Sequence, residues 1–82
     1  MYPVSKLFKV IEGYDIYRSS RLIIALVAVE TERRKDLRLY RWEKRKDEWR
    51  VGLCRMSTVQ WNWPQLAEKA EELKKKHGIT GN

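Results

Sequence analysis

The sequence predicts an α+β fold: an antiparallel four-stranded sheet packed against a C-terminal helix, with a short N-terminal helix or strand ahead of it. Three observations lead there. Arg21 to Glu30 (RLIIALVAVE) is rich in β-branched residues and apolar on both alternating faces, as a central strand covered on two sides is. Asp36 to Lys44 and Glu48 to Met56 alternate with a period of two on either side of a charged turn, which reads as a hairpin. Asn62 to His77 carries helical spacing and is followed by Gly78, a helix stop.

In chain order, residues 3–12 begin with Pro3 and place Val4, Leu7, Phe8 and Ile11 at helical spacing before Gly13. A short helix is expected, with a strand from Leu7 to Ile11 as the other reading. Tyr14 to Tyr17 is an extended piece and Ser19 and Ser20 a turn. Strands are expected at about 21–31, 36–44, 48–56 and 57–61, and a helix at about 63–77, all within one domain spanning 1–82. In the first of these strands Leu22, Ile24 and Leu26 face the helix. Ile23, Val27 and Val29 then need a second cover: another subunit, the N-terminal segment, or bases lying on the sheet.

In the second strand Leu37 and Leu39 share one face, while Arg38, Tyr40, Trp42 and Lys44 share the other. In the third, Trp49, Val51 and Leu53 are expected to join Leu37 and Leu39 in the core. Arg50, Gly52, Cys54 and Met56 would then lie on the ring-bearing face. A shift of one residue exchanges the two sets. Asn62 reads as the helix N-cap, with Pro64 in the first turn and Gln65 completing a capping box. The helix stripe is Leu66, Ala70 and Leu73 with Ala67 alongside, and His77 reads as a C-terminal cap.

Composition narrows the function classes. The chain of 82 residues is one small domain, for which a homo-oligomer, a dimer first, would complete the core. Eighteen basic against eleven acidic side chains give a formal charge of +7, which favours a polyanionic partner. Simple solubilisation of the surface is the competing account of those cations. The lone cysteine, Cys54, excludes a disulfide framework and a multi-thiolate metal site and fits a reducing cytoplasm. The apolar run Leu22 to Val29 is too short for a bilayer, so no membrane partner is expected. Charged residues at 35% are a weak thermophile signature.

The stretch from Arg33 to Gln65 holds all four tryptophans. Between Arg33 and Arg50 nine basic residues stand against four acidic ones, a net +5 of the total +7. Aromatic rings interleaved with cations are the materials of a groove for unpaired nucleic acid, in which bases stack on rings and phosphates meet cations. The nucleic-acid-binding candidates are Arg38, Tyr40, Arg41, Trp42, Lys44, Arg50 and Trp61, seconded by Arg33, Arg34, Lys35, Arg45 and Lys46. A solvated hairpin tip that keeps a strand edge from aggregating is the rival account of the tip cations. No recognition-helix pair or zinc spacing is present for duplex reading. No carboxylate pair, Cys/His couple, Gly-rich phosphate loop or metal spacing points to catalysis, so no catalytic residue, cofactor or metal is assigned and the chain is not read as an enzyme. A structural or protein-interaction module whose aromatic face is a homo-oligomer interface is the alternative.

Strands bearing Arg and Trp, followed by the turn QWNWPQL that opens a terminal helix, resemble the archaeal ThermoDBP group, single-stranded-DNA-binding proteins of the Thermoproteales and their relatives. The resemblance covers roughly residues 14–77. It implies a four-stranded antiparallel sheet with helices, bases held in a cleft lined by aromatic and apolar side chains, and basic residues along the rim. It implies base stacking by Tyr40 and Trp42 with Trp61, and phosphate contacts by Arg38, Arg41 and Arg50. More distantly the chain resembles the positive-cofactor type of transcriptional coactivator, whose members dimerise through the helix and grip unpaired DNA on the sheets. Both imply single-stranded DNA as the partner; the residues themselves leave single-stranded DNA or RNA open, since none clearly tests for the 2′-hydroxyl.

Overall fold

A computed structural model describes residues 1–80. Its centre is β2 (Leu22–Glu30), in which every residue from Ile23 to Val29 is buried, as a strand apolar on both faces requires. β1 (Lys9–Arg18), β2, β3 (Lys35–Arg45) and β4 (Glu48–Leu53) form one antiparallel sheet in the order β1-β2-β3-β4. Two helical pieces, α1 (Met56–Val59) and a 3-10 turn at Gln60–Asn62, lead into α2 (Trp63–His77). The predicted α+β architecture of a four-stranded antiparallel sheet and a C-terminal helix is the observed one.

Two strands differ from expectation. Residues 57–61 are helical, because the Asn62–Pro64 helix start extends backward through Met56 and buries Val59 against the helix side of the sheet. The fourth strand is instead β1, where residues 9–12 extend straight into the Tyr14 to Tyr17 piece. Of the two readings of residues 3–12, the strand is the one observed from Lys9 onward: the helical spacing is overridden by pairing with β2, from Lys9 opposite Glu30 to Arg18 opposite Ile23, with register irregularities between Val10 and Glu12 and between Asp15 and Tyr17.

Short turns set the registers. Ser19 Oγ accepts from the Leu22 amide (3.1 Å), while Thr31 Oγ1 accepts from the Arg33 and Arg34 amides (3.3 Å each). The β3–β4 turn has only two central residues, Lys46 (φ 48°) and Asp47 (φ 66°), and both are left-handed as a type I′ hairpin requires. That turn places Arg45 opposite Glu48, and hence Lys44 opposite Trp49, Trp42 opposite Val51 and Tyr40 opposite Leu53. Directly opposed residues share a face. Trp49, Val51 and Leu53 therefore lie with the rings of β3, and Arg50, Gly52 and Cys54 lie with Leu39, Arg41 and Glu43, the reverse of the expected phase.

Each face has its own core. On the helix side, Leu66 and Leu73 of α2 pack with Val59 on Ile24 and Leu26, flanked by Leu37, Leu39, Cys54 and Ala70. α2 starts at the expected place with Asn62 at the N-cap position, but Asn62 makes no side-chain cap bond because the chain before it is already helical. Gly78 (φ 66°) ends the helix, and the Ile79 amide donates to the Lys74 carbonyl (2.9 Å). His77 is no cap: its Nε2 lies 2.8 Å from Glu12 Oε1 and Lys76 Nζ lies 2.9 Å from the same oxygen, so the helix end is tied to β1. Lys76, with His77 beside it, holds the Glu12 carboxyl below the usual carboxylate range.

On the other side, the N-terminal segment folds back over the sheet. Phe8 is buried against Tyr40 (ring centroids 5.1 Å apart) and Tyr2 covers Trp42 (5.2 Å). The cover for Ile23, Val27 and Val29 is thus the chain's own beginning. Tyr2 lies where a side chain at position 13 would be: a Cβ added to Gly13 would fall 2.6 Å from Tyr2 Cε2.

Candidate functional site

The two rings expected to stack bases are inside the protomer. Trp42 is 1% exposed and Tyr40 9%, meeting edge-to-face at 5.7 Å within the cluster closed by Phe8 and Tyr2. Neither offers a face to a base or to a neighbouring subunit. Alternation along β3 distinguishes two faces but does not say which is wet, and here the N-terminal cover turns the ring-bearing face into a second core. Arg38 follows the rings: Nη1 donates to Tyr40 Oη (2.6 Å) and Nε to Asp36 Oδ2 (3.2 Å), with the guanidinium 5.9 Å from the Phe8 ring centroid. Its head is therefore committed to closing the aromatic face. Lys44 lies over Trp49 (5.8 Å) at the margin of that face.

The odd-numbered residues of β3 point to the helix side, and along that line the surface is open. α2 covers β2 but leaves a groove above β3 of about 440 Å³. Leu26, Leu37 and Leu39 line it from the sheet, and Met56, Trp63, Leu66, Ala67 and Ala70 from the helical side. Arg38 borders it, and Glu71 and Lys74 stand on the helix bank. Trp63 is 50% exposed, so an indole face remains available beside an apolar floor. Trp63 precedes Leu66 and Ala70 by three and seven residues, and so extends the helix's apolar stripe.

A basic hollow adjoins each end of this groove along β3. At the start of the strand, Arg34, Lys35 and Lys74 surround about 290 Å³ with Asp36, Leu37 and Ile79. Toward the hairpin, Arg41, Arg45 and Arg50 surround about 280 Å³ with Glu43, Val51, Gly52 and Leu53. Glu43 pairs with Arg45 (2.7 Å) and Arg41 (3.2 Å), and the Arg45 contact holds its carboxyl below the usual range. Arg34 reaches Asp36 at 3.8 Å. Lys74 also pairs with Glu71 (3.5 Å), so the hollow at the start of β3 is less positive than the hairpin-side one, where three arginines face one carboxylate. Such solvent-exposed pairs are weak and exchangeable, so a polyanion can compete for the same guanidinium groups.

Of the expected binding residues, the structure brings Arg41 and Arg50 together with Arg45, and Arg34 with Lys35. It leaves Arg33 exposed on the β2–β3 turn and Lys46 at the hairpin tip. Trp61 is 84% exposed and lies in the 3-10 turn just before the groove's Trp63. The residues missed by sequence reasoning are Trp63, Met56 and Lys74. Helical phasing of Trp63 with Leu66 and Ala70 was the available signal for the first; nothing marks Met56 until residues 56–59 are known to be helical. Cys54 is half-buried beneath α1, and burial pushes its thiol upward, as expected of a packed thiol and not of a nucleophile. A further hollow of about 420 Å³ lies under the N-terminal segment, but Lys9 is the one basic side chain among the residues that line it.

Comparison with protein-family models, with curated proteins and with solved structures finds no match for this chain. Among the described residues no helix is long and apolar enough to cross a membrane, and no group of three metal-ligating side chains converges.

Proposed function

We propose that the protein binds single-stranded nucleic acid, DNA or RNA, along the helix side of β3. The observation that carries this reading is the sequence of surfaces along one strand: a basic hollow, an apolar groove holding an accessible indole, and a second basic hollow. A polymer with a continuous anionic backbone and flat bases projecting from it can lay bases in such a groove while its phosphates meet the basic hollows at the two ends. Bases enter the groove over Leu37 and Leu39 and stack on Trp63, while Arg34, Lys35 and Lys74 at one end and Arg41, Arg45 and Arg50 at the other take phosphates. Base–aromatic contacts contribute about 1 to 3 kcal/mol per base with little dependence on which base it is, so binding is sequence-tolerant. The resemblance to ThermoDBP, with its expected apolar cleft and basic rim, supports the same reading, with the stacking role moved from Tyr40 and Trp42 to Trp63.

The test is a titration of labelled oligo(dT) and oligo(U) at two salt concentrations while following tryptophan emission. Quenched emission and an affinity that falls with salt by roughly 0.7 log units per log unit for each phosphate held are expected. Unchanged emission with no salt-dependent binding rejects the proposal.

A further inference from the structure

The sheet has two free edges, and they are built differently. β1 carries two register irregularities, which twist an edge away from further pairing. β4 pairs with β3 without interruption from Glu48 to Leu53, contains no proline, and exposes Val51 (42%) and Leu53 (83%). The backbone direction at this edge follows from one bond: the Cys54 amide donates to the Leu39 carbonyl (3.4 Å). Orientation alternates along a strand, so the amides and carbonyls of Gly52 and Arg50 also face β3. Those of Trp49, Val51 and Leu53 face outward and have no strand partner among the described residues.

We infer that two copies of the chain pair antiparallel along β4, centred on Val51, to form one continuous eight-stranded sheet. Three antiparallel registers near the middle of β4 are open to comparison, and their side chains separate them. Centring on Arg50 sets that guanidinium directly against its own copy, which is unfavourable. Centring on Gly52 leaves the Trp49 end of each strand without a partner. Centring on Val51 pairs Trp49 to Leu53, five of the six residues of the strand, including all three with outward backbone groups. Val51 then meets its own copy across the two-fold axis, Trp49 meets the second copy of Leu53, and Arg50 meets the second copy of Gly52, where no side chain opposes it. The exposed Leu53 gains apolar cover next to the ring-bearing face, and the unpartnered backbone groups of three residues on each strand are satisfied. This inference does not depend on what the groove on the helix side binds.

A pairing this short is a small interface, so the dimer is concentration-dependent. Sedimentation equilibrium of the full chain without nucleic acid, from ~10 µM to ~1 mM, is expected to show a reversible monomer–dimer system. Val51→Pro removes the central outward N–H yet leaves β3 pairing intact, as edge strands permit, and is expected to weaken association at least ~10-fold. Val51→Lys, which opposes like charges at the two-fold axis, gives the same result without altering the backbone and serves if the proline variant does not fold. The register is read by cysteine crosslinking in a Cys54→Ser background. Directly opposed residues in a hydrogen-bonded pair have Cα atoms about 5.5 Å apart, within disulfide range. Val51→Cys is expected to crosslink on mild oxidation and Arg50→Cys is not. A monomer at every concentration, a dimer untouched by both Val51→Pro and Val51→Lys, or crosslinking through Arg50→Cys in place of Val51→Cys would each overturn the inference.

Discussion

The two faces of the sheet carry similar materials and use them in opposite ways. On the N-terminal side, Tyr40, Trp42, Phe8 and Tyr2 close on one another, and the nearby cations Arg38 and Arg18 are committed to Tyr40, Asp36 and Asp15. On the helix side, Trp63 remains half open and the cations stand at the ends of a groove. An aromatic residue among arginines is therefore no guide to function until its lid is known. The difference between the faces is the completeness of cover over β3: the N-terminal segment closes over Tyr40 and Trp42 and leaves only the β4 margin, Val51 and Leu53, outside, while a single helix leaves a groove above β3 on the other face.

Substitutions that remove one ring from each face test that contrast most strongly. Trp42→Ala empties a fully buried site and is expected to cost about 3 to 5 kcal/mol of stability, measurable by urea denaturation, enough to unfold a small domain. Trp63→Ala is expected to shift stability far less while weakening oligo(dT) binding by about 1 to 3 kcal/mol. If Trp63→Ala unfolds the chain and leaves affinity unchanged in what remains folded, the distinction between a closed aromatic cluster and an open groove collapses.

Gly13→Ala addresses the lid itself. The new Cβ collides with the Tyr2 ring, so the N-terminal segment is expected to lift from Trp42 at a cost of about 1 to 3 kcal/mol. Red-shifted tryptophan emission reports the change, and unaltered emission would show that Tyr2 does not seal this face. For the open face, Arg41→Gln with Arg50→Gln is expected to lower the log–log salt slope by roughly 0.7 for each phosphate no longer held, without changing the melting temperature. An unchanged slope would remove the hairpin-side hollow from the binding track.

The smallest effect concerns pH. Burial, followed by the hydrogen bond to Asp15, raises the Tyr2 phenol to about 12 from its ordinary 10.0. A folded-state value above the unfolded one means that the unfolded chain loses its proton first. Tyr2's contribution is thus complete below about pH 10 and is lost as pH rises toward 12. Denaturation midpoints measured across that window should decline less in Tyr2→Phe, which has no proton to lose. An equal decline would place the alkaline sensitivity elsewhere.

Much of the architecture was legible because it rests on local patterns. β2 declared itself by apolar residues on both faces, the hairpin by its alternation, and α2 by its stripe and by Gly78. The misjudged details were decided by distant contacts. Residues 9–12 satisfy helical spacing, and only the bonding partners offered by β2 make them a strand. The phase of β4 depends on whether the Lys46–Asp47 turn has two central residues or more, and one residue of difference transfers Trp49, Val51 and Leu53 to the opposite side. The candidate site was legible in its cations Arg41, Arg50, Arg34, Lys35 and Arg45. Its apolar part was misplaced, since the cover supplied by Phe8 and Tyr2 lies thirty or more residues away in sequence.

The strand order has a kinetic consequence. Each strand pairs only with its sequence neighbour, through connections of three, four and two residues, so every loop closure in the sheet is short. Ordering such a chain demands little entropy before the first bonds reward it, and assembly should be fast for a β-rich domain. No strand of the meander has to wait for a distant part of the chain before it can pair.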